Sequence, residues 1–169
     1  MNPVLARWNV LDVESAAREI LPCCGSQAWA ETLAARRPIA DEAALLDSSN
    51  NIWLALGESD WQQAFDSHPR IGQLHAVQAT AQSLRWSSEE QSKASVDEAA
   101  KLTLAEANRR YEQRFGRIFI VCATGKTSAE ILGILESRMN NDAANELREA
   151  AEQQRQITQL RLRRWLESN

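Results

Sequence analysis

Apolar residues recur at helical spacing along most of the first half of the chain. Between positions 9 and 21 they stand three and four residues apart, with Asn9 or Asp12 as the cap at the start and Pro22 at the end. Ser26 is placed to cap a second helix, and Asp41 is placed to cap a third. The pattern therefore predicts a succession of short helices joined by tight turns.

The second half continues with longer helical patterns. One runs from position 96 to Tyr111 and stops near Gly116. A further helix is predicted after Thr127, because Thr127 and Glu130 match the capping box, in which each residue's side chain bonds the other's backbone N–H. The last helix is predicted over about 143 to 166.

One segment departs from the helical period. Residues 118–123 read Ile-Phe-Ile-Val-Cys-Ala, a continuously apolar and largely β-branched run that predicts a buried extended segment. Without a sheet partner its N–H and C=O groups need other partners, and a ligand rich in amides would supply them. The expected fold is all-α, a compact bundle of about seven to nine helices with this one extended segment.

Composition limits the size and class of the protein. A chain of 169 residues, 44% apolar, predicts one domain over 1–169. A net charge of -4 without long blocks of like charge disfavours nucleic-acid binding. There is neither a leader pattern at Met1 nor an apolar run of about 18 residues, so we expect no secretion, no membrane span and a cytoplasmic location.

Residues that hold metals or nucleotides are scarce. Cys23, Cys24 and Cys122 lack C-x-x-C spacing and are interpreted as reduced, buried thiols. The two histidines, His68 and His75, form no zinc-binding motif, and the six scattered glycines form no phosphate loop. We therefore expect no metal, nucleotide or flavin cofactor.

His68 lies in the stretch Phe-Asp-Ser-His-Pro-Arg-Ile-Gly at 65–72. A residue before proline is disfavoured in the helical region, and Pro69 suits the first position of a helix, so we expect His68 at a helix entrance. Its unperturbed pKa of about 6.5 suits proton transfer near neutrality. From these residues alone, a histidine that caps a helix or packs in the core is an equally good interpretation.

Ser87 and Glu90 match the S-x-x-E capping box at the start of a predicted long helix. That interpretation accounts for both residues without a substrate. A functional one stays open beside it, because a helix start offers N–H groups to an anion or amide, and a carboxylate beside a histidine orients the ring or raises its pKa.

The arginines of the last helix predict a solvated helical face in preference to a nucleic-acid or lipid contact. Arg161 differs because Leu160 and Leu162 flank it and Ile157 lies one turn earlier. We expect its guanidinium to point partly inward, where it needs an anionic or carbonyl partner.

Four segments taken together carry a family resemblance. They are Cys-Cys-Gly-Ser at 23–26 with Trp29, His-Pro-Arg-Ile-Gly at 68–72, Ser87 with Glu90 and Gln91, and Arg-Phe-Gly at 114–116 leading to Ile-x-x-Leu-Arg-Leu at 157–162. In this order and spacing the chain resembles the 2-oxo-4-hydroxy-4-carboxy-5-ureidoimidazoline (OHCU) decarboxylases, which act last in the route from urate to allantoin. The resemblance covers nearly the whole chain.

The resemblance implies an all-helical homodimer that uses no metal or organic cofactor and converts OHCU to (S)-allantoin and CO₂. It places the catalytic acid/base on His68, with Glu90 as its partner or as an anchor for substrate N–H groups. The substrate-binding residues that it implies are Pro69, Ser87, Gln91, Arg161 and the backbone of Phe119, Ile120, Val121, Cys122 and Ala123.

The chemistry of OHCU agrees with a site that has no cofactor. An imidazoline C=N next to the carbon that loses CO₂ absorbs the electron pair, so the substrate supplies its own electron sink. Two other functions remain: a non-catalytic helical interaction module, in which Ser87 and Glu90 only cap a helix, and a sister enzyme that acts on a related ureide.

Overall fold

The computed structural model describes residues 1–71, 81–91 and 98–168. These ranges contain no β-strand, a 3-10 turn at Leu21–Cys23 and nine α-helices, which confirms the predicted all-α class. No helix in the described ranges is long and apolar enough to cross a membrane. The helices are α1 Pro3–Asn9, α2 Val13–Ile20, α3 Gln27–Ala35, α4 Glu42–Ala55, α5 Glu58–Asp66, α6 Ala81–Gln91, α7 Glu98–Phe115, α8 Ser128–Arg138 and α9 Ala143–Glu167.

The chain forms two compact units. Met1–Ala64 and Arg155–Asn169 make up the first, which we call the terminal unit, and Phe65–Gln154 makes up the second, the central unit. The prediction of a single domain over 1–169 stays a prediction.

Side-chain caps begin the helices of the terminal unit. Asp12 accepts a hydrogen bond from the Ser15 N–H and starts α2, which confirms the second of the two predicted caps, Asn9 or Asp12. Asn9 instead ends the preceding helix α1, so the earlier start is wrong. Ser26 starts α3 and Asp41 starts α4 in the same way, as predicted. These caps satisfy N–H groups that have no partner within the helix.

Tryptophans dominate the core of the terminal unit. Trp8 meets Trp165 edge to face with ring centroids 5.6 Å apart. Trp29 is fully buried, and its indole N–H donates to the Ser49 hydroxyl at 3.2 Å. The large rings therefore contribute apolar burial while the indole donor of Trp29 stays paired.

The core of the central unit joins α7, α8 and the apolar segment 118–123. Helix α7 ends at Phe115, which confirms the helix stop predicted at this point. Gly116 follows with φ 69°, in the left-handed region, where a residue with a side chain would be strained. The apolar segment then runs without helical structure and is buried from Phe119 to Ala123, which confirms the predicted extended segment. Its core partners are Leu104, Ala107 and Tyr111 of α7 and Ile131 and Leu135 of α8.

The capping box predicted at the start of α8 is confirmed. The Thr127 hydroxyl accepts from the Glu130 N–H at 3.2 Å, and the Glu130 carboxylate accepts from the Thr127 N–H at 2.7 Å. This backbone hydrogen bond holds the pKa of Glu130 below its ordinary value. The box fixes the point at which the chain leaves the apolar segment and becomes helical.

Thr127→Ala is expected to lower the free energy of unfolding by about 1 kcal/mol, because the cap at the start of α8 loses its acceptor. Urea denaturation followed by far-UV circular dichroism measures the change. Thr124→Ala, at an exposed position just before the box, is the matched control and is expected to change stability by less than about 0.5 kcal/mol. Equal losses in the two variants would contradict the capping role.

Candidate functional site

His68 lies just beyond the end of α5. Its backbone N–H donates to the Phe65 C=O at 3.1 Å and so extends the last turn of that helix. Pro69 and Arg70 are not helical, so the predicted helix entrance is wrong and His68 stands at a helix exit. The reason is that α5 already uses the N–H of His68, while Pro69 has no N–H to continue the turn. The imidazole is partly exposed, whereas Ser67 and Pro69 on either side are buried.

Helix α9 holds the imidazole ring. The Nε2 atom of His68 lies 2.7 Å from Oε1 of Gln154, a side chain with no exposed surface. An amide oxygen only accepts hydrogen bonds, so this contact is a hydrogen bond in the tautomer that carries its proton on Nε2. Sequence reasoning assigned no role to Gln154, although the place of this glutamine on the apolar stripe of the last helix was an available signal.

Arg70 ties the same loop to α7. Its Nε and Nη2 atoms lie 2.5 Å and 2.9 Å from the two carboxylate oxygens of Glu112, a bidentate pair. The hydrogen bonds that Arg70 donates to Glu112 raise the pKa of Arg70. Because the pair is about half exposed on the arginine side, we expect it to orient the loop more than to stabilise the fold.

Side chains already bond backbone groups of the apolar segment. The Cys122 N–H donates to Oε1 of Gln153 at 2.9 Å, and the Cys122 C=O accepts from Nζ of Lys126 at 2.9 Å. The Ile120 C=O accepts from Nη1 of Arg138 at 2.6 Å. The partners predicted for this segment are therefore supplied in part by the protein itself.

A buried ion pair positions Arg138 for its contact with the Ile120 C=O. The Nε and Nη2 atoms of Arg138 lie 2.9 Å and 2.5 Å from Oε1 of Glu146, which also accepts from the Tyr111 hydroxyl. The guanidinium sits 4.5 Å from the centroid of the Phe119 ring. Burial and the bond to Glu146 both raise the pKa of the Tyr111 hydroxyl, which keeps it a donor. This network fixes the guanidinium that holds the apolar segment.

Ser87 and Glu90 lie towards the end of α6, so the predicted capping box is wrong. Helix α6 begins at Ala81, and the helix formers Gln82, Leu84 and Arg85 favour its continuation through Ser87. The interpretation of these residues as a helix start that binds anions is therefore wrong as well. Both side chains are buried, with 3% and 9% exposure, and their spacing places them on one face of α6. Gln91 is the last residue of α6.

Arg161 belongs to the terminal unit and has no exposed surface. Its Nη1 atom donates to the Pro22 C=O at 3.3 Å, which confirms the predicted inward orientation and carbonyl partner. Burial raises the pKa of the nearby Cys24 thiol to about 12, against a smaller lowering effect of the Arg161 charge. Cys23, Cys24 and Cys122 are all buried and outside any disulfide bond, as predicted.

The structure places most of the predicted site residues in the central unit. His68, Pro69, Ser87, Glu90 and Gln91 lie there with the apolar segment, whereas Arg161 is described within the terminal unit. Gly72 of the histidine motif and His75 lie outside the described residues. The substrate contacts assigned to all these residues stay predictions.

An open groove of about 670 Å³ on the central unit is a separate feature. Its lining includes Lys126, Glu130, Ile134, Arg138 and Glu149, and none of the predicted catalytic or substrate-binding residues. We therefore build the candidate site around the His68 contacts and not in this groove. Within the described ranges, no group of three or more His, Cys, Asp or Glu side chains is arranged to hold a metal ion.

A family model and curated relatives match the chain. The model described as OHCU decarboxylase matches residues 9–163. The uric acid degradation bifunctional protein TTL of Arabidopsis thaliana is 37% identical over 143 residues, which cover 83% of this chain and 44% of that protein. The uric acid degradation bifunctional protein of Bacillus sp. (strain TB-90) is 25% identical over 157 residues, covering 88% and 30%. This chain spans less than half the length of either relative.

Two solved structures share the fold. The crystal structure of OHCU decarboxylase in the presence of (S)-allantoin superposes with a TM-score of 0.77 at 34% identity and covers 89% of this chain and 98% of that one. The crystal structure of (S)-allantoin synthase gives a TM-score of 0.71 at 16% identity and covers 95% and 53%. At that lower identity the second match supports the fold alone.

Proposed function

The chain belongs to the OHCU decarboxylase family, and from this premise we propose that it converts OHCU to (S)-allantoin and CO₂ in urate degradation. The observation that carries the proposal is the histidine of the His-Pro-Arg-Ile-Gly motif. The ring of His68 is partly exposed, is flanked by a proline and is held at Nε2 by a buried amide. A ring fixed in this way is suited to a directed proton transfer.

The proposed reaction needs orientation and one proton. The carboxylate must leave perpendicular to the imidazoline plane, so that the breaking bond overlaps the C=N system that receives the electron pair. Protonation from one face then sets the configuration of the product. We assign that proton to His68, and no cofactor is required because the ring of the substrate absorbs the charge.

The remaining residues would hold the substrate. Glu90 would orient His68 or accept from the N–H groups of the ring and the ureido arm. Ser87, Gln91 and Pro69 would line the same region, and Arg161 would pair with an anionic or carbonyl oxygen of the substrate.

The amide edges of the substrate would be bound by main-chain groups of the apolar segment, those of Phe119, Ile120, Val121, Cys122 and Ala123. The contacts of Arg138 and Gln153 support this role, because they stiffen the backbone before any ligand binds. We further propose that the protein is a cytoplasmic homodimer without a metal or organic cofactor.

Circular dichroism of freshly prepared OHCU tests the function, because its spontaneous decay gives racemic allantoin. With the protein present we expect a growing signal of (S)-allantoin, and without it a flat trace. A flat trace with protein would favour the non-catalytic interaction module. A product other than allantoin would favour a sister enzyme that acts on a related ureide.

A further inference from the structure

Two consecutive glutamines of α9 contact the candidate site in the central unit, one at the His68 ring and the other at the apolar segment. Oε1 of Gln154 lies 2.7 Å from Nε2 of His68, and Oε1 of Gln153 accepts from the Cys122 N–H at 2.9 Å. Neither glutamine is among the residues that the family resemblance assigns. The same turn of α9 therefore positions both the His68 ring and the apolar segment.

We propose that Gln154 is a positioning residue that keeps the proton of neutral His68 on Nε2, so that Nδ1 is the nitrogen that exchanges a proton with the substrate. This inference rests on the proposed function for the role of Nδ1. The location of the ring proton is independent of it.

The argument starts from the donor and acceptor inventory of the two side chains. A neutral imidazole has one N–H donor and one bare nitrogen, and a partner on one nitrogen decides which is which. The Gln154 oxygen accepts and is fully buried, so a bare Nε2 would leave two acceptors facing each other away from water. The Nε2–H form is therefore the favoured one.

An amide suits this task better than a carboxylate would. A buried carboxylate at the same place would favour the charged imidazolium and hold the proton on the ring. The neutral amide orients the ring without adding a charge that would hold the proton on it. The charged residues two positions from His68 in the sequence are Asp66, the last residue of α5, and Arg70, which is paired with Glu112.

Nitrogen-15 NMR of the histidine rings tests the tautomer without any substrate. His75 is the only other histidine, so His75→Gln assigns the His68 signals. Above the titration of the ring we expect a protonated Nε2 and a bare Nδ1 in the native chain, and a mixture of tautomers in Gln154→Met. A proton on Nδ1 in the native chain, or an unchanged spectrum in Gln154→Met, would overturn the proposal.

Kinetics test the consequence for turnover. Gln154→Met is expected to lower kcat about tenfold with little change in KM, because it removes one orienting hydrogen bond and no substrate contact. Gln154→Glu restores an acceptor at Nε2 but favours the charged ring, so it is expected to recover part of the loss only at a pH high enough to leave the imidazole neutral. Gln113→Met, an exposed glutamine of α7, is the matched control and should keep the native rate. Equal losses in the Met and Glu variants at that higher pH would indicate packing alone and refute the positioning role.

The two experiments separate this inference from the proposed function. If the native protein forms no (S)-allantoin, the proposed function fails, while the ring spectra still decide where the proton lies. If the native protein is active and its ring carries the proton on Nδ1, the inference fails and the function stands.

Discussion

His68→Ala is expected to lower the rate of (S)-allantoin formation by about 10² to 10⁴-fold, the range that a positioned acid or base contributes. The substrate supplies its own electron sink, so proton delivery and orientation are what the protein adds. Removing the ring deletes the group that we assign to the proton and leaves the other assigned residues in place. Initial rates by circular dichroism on fresh OHCU measure the loss.

The fold is expected to survive this change because the ring is only partly buried. Far-UV circular dichroism and the melting temperature check that expectation. His75→Ala removes the other histidine and is the control that should keep the native rate. Native turnover in His68→Ala would refute the catalytic assignment, and the same test applies to the partner role of Glu90 through Glu90→Ala.

Features fixed by short-range chemistry were predictable from the sequence. The caps at Ser26, Asp41 and Thr127 each act on an N–H group within the next turn, so their position along the chain is sufficient to locate them. Gly116 is similar, because only the local need for a positive φ decides it.

The same local reasoning failed at Ser87 and Glu90. An S-x-x-E pattern is compatible with a helix start and also with the buried face of a helix that began earlier. Here the helix formers upstream of Ser87 start the helix earlier, and both side chains lie on its buried face. His68 shows the same limit, since proline suits the start of a helix as well as the residue after its end.

Contacts between distant parts of the chain were beyond sequence reasoning. His68 and Gln154 are separated by 86 residues, and periodicity places Gln154 on a buried stripe without naming its partner. Arg138 stands in the last turn of α8, where a basic residue usually complements the helix dipole in solvent. Its burial beside Glu146 became visible only when α8 and α9 were seen together.

Arg138→Met is expected to lower the free energy of unfolding by about 3 to 5 kcal/mol, because it leaves the Glu146 carboxylate buried without its cation. The two side chains are 6% and 0% exposed, so solvent cannot replace the lost partner. The Tyr111 hydroxyl and the Asn141 side-chain amide still donate to Glu146, but neither carries a positive charge. Urea denaturation of the full chain measures the change.

The double variant Arg138→Met with Glu146→Gln separates the ion pair from simple packing. Replacing both charges is expected to recover much of the stability, because the buried carboxylate no longer lacks a counterion. Arg109→Met on α7 removes an exposed partner of Glu106 and should change stability little. A double variant as unstable as Arg138→Met would contradict this account of the buried pair.

The same network connects stability to the candidate site. Arg138 bonds the Ile120 C=O, so a double variant that folds still lacks the contact that fixes the apolar segment. We expect it to raise KM more than it lowers kcat, because the segment is assigned to substrate binding and the proton transfer to His68. A raised KM in a stably folded variant would distinguish this positioning contact from the contribution of the ion pair to the fold.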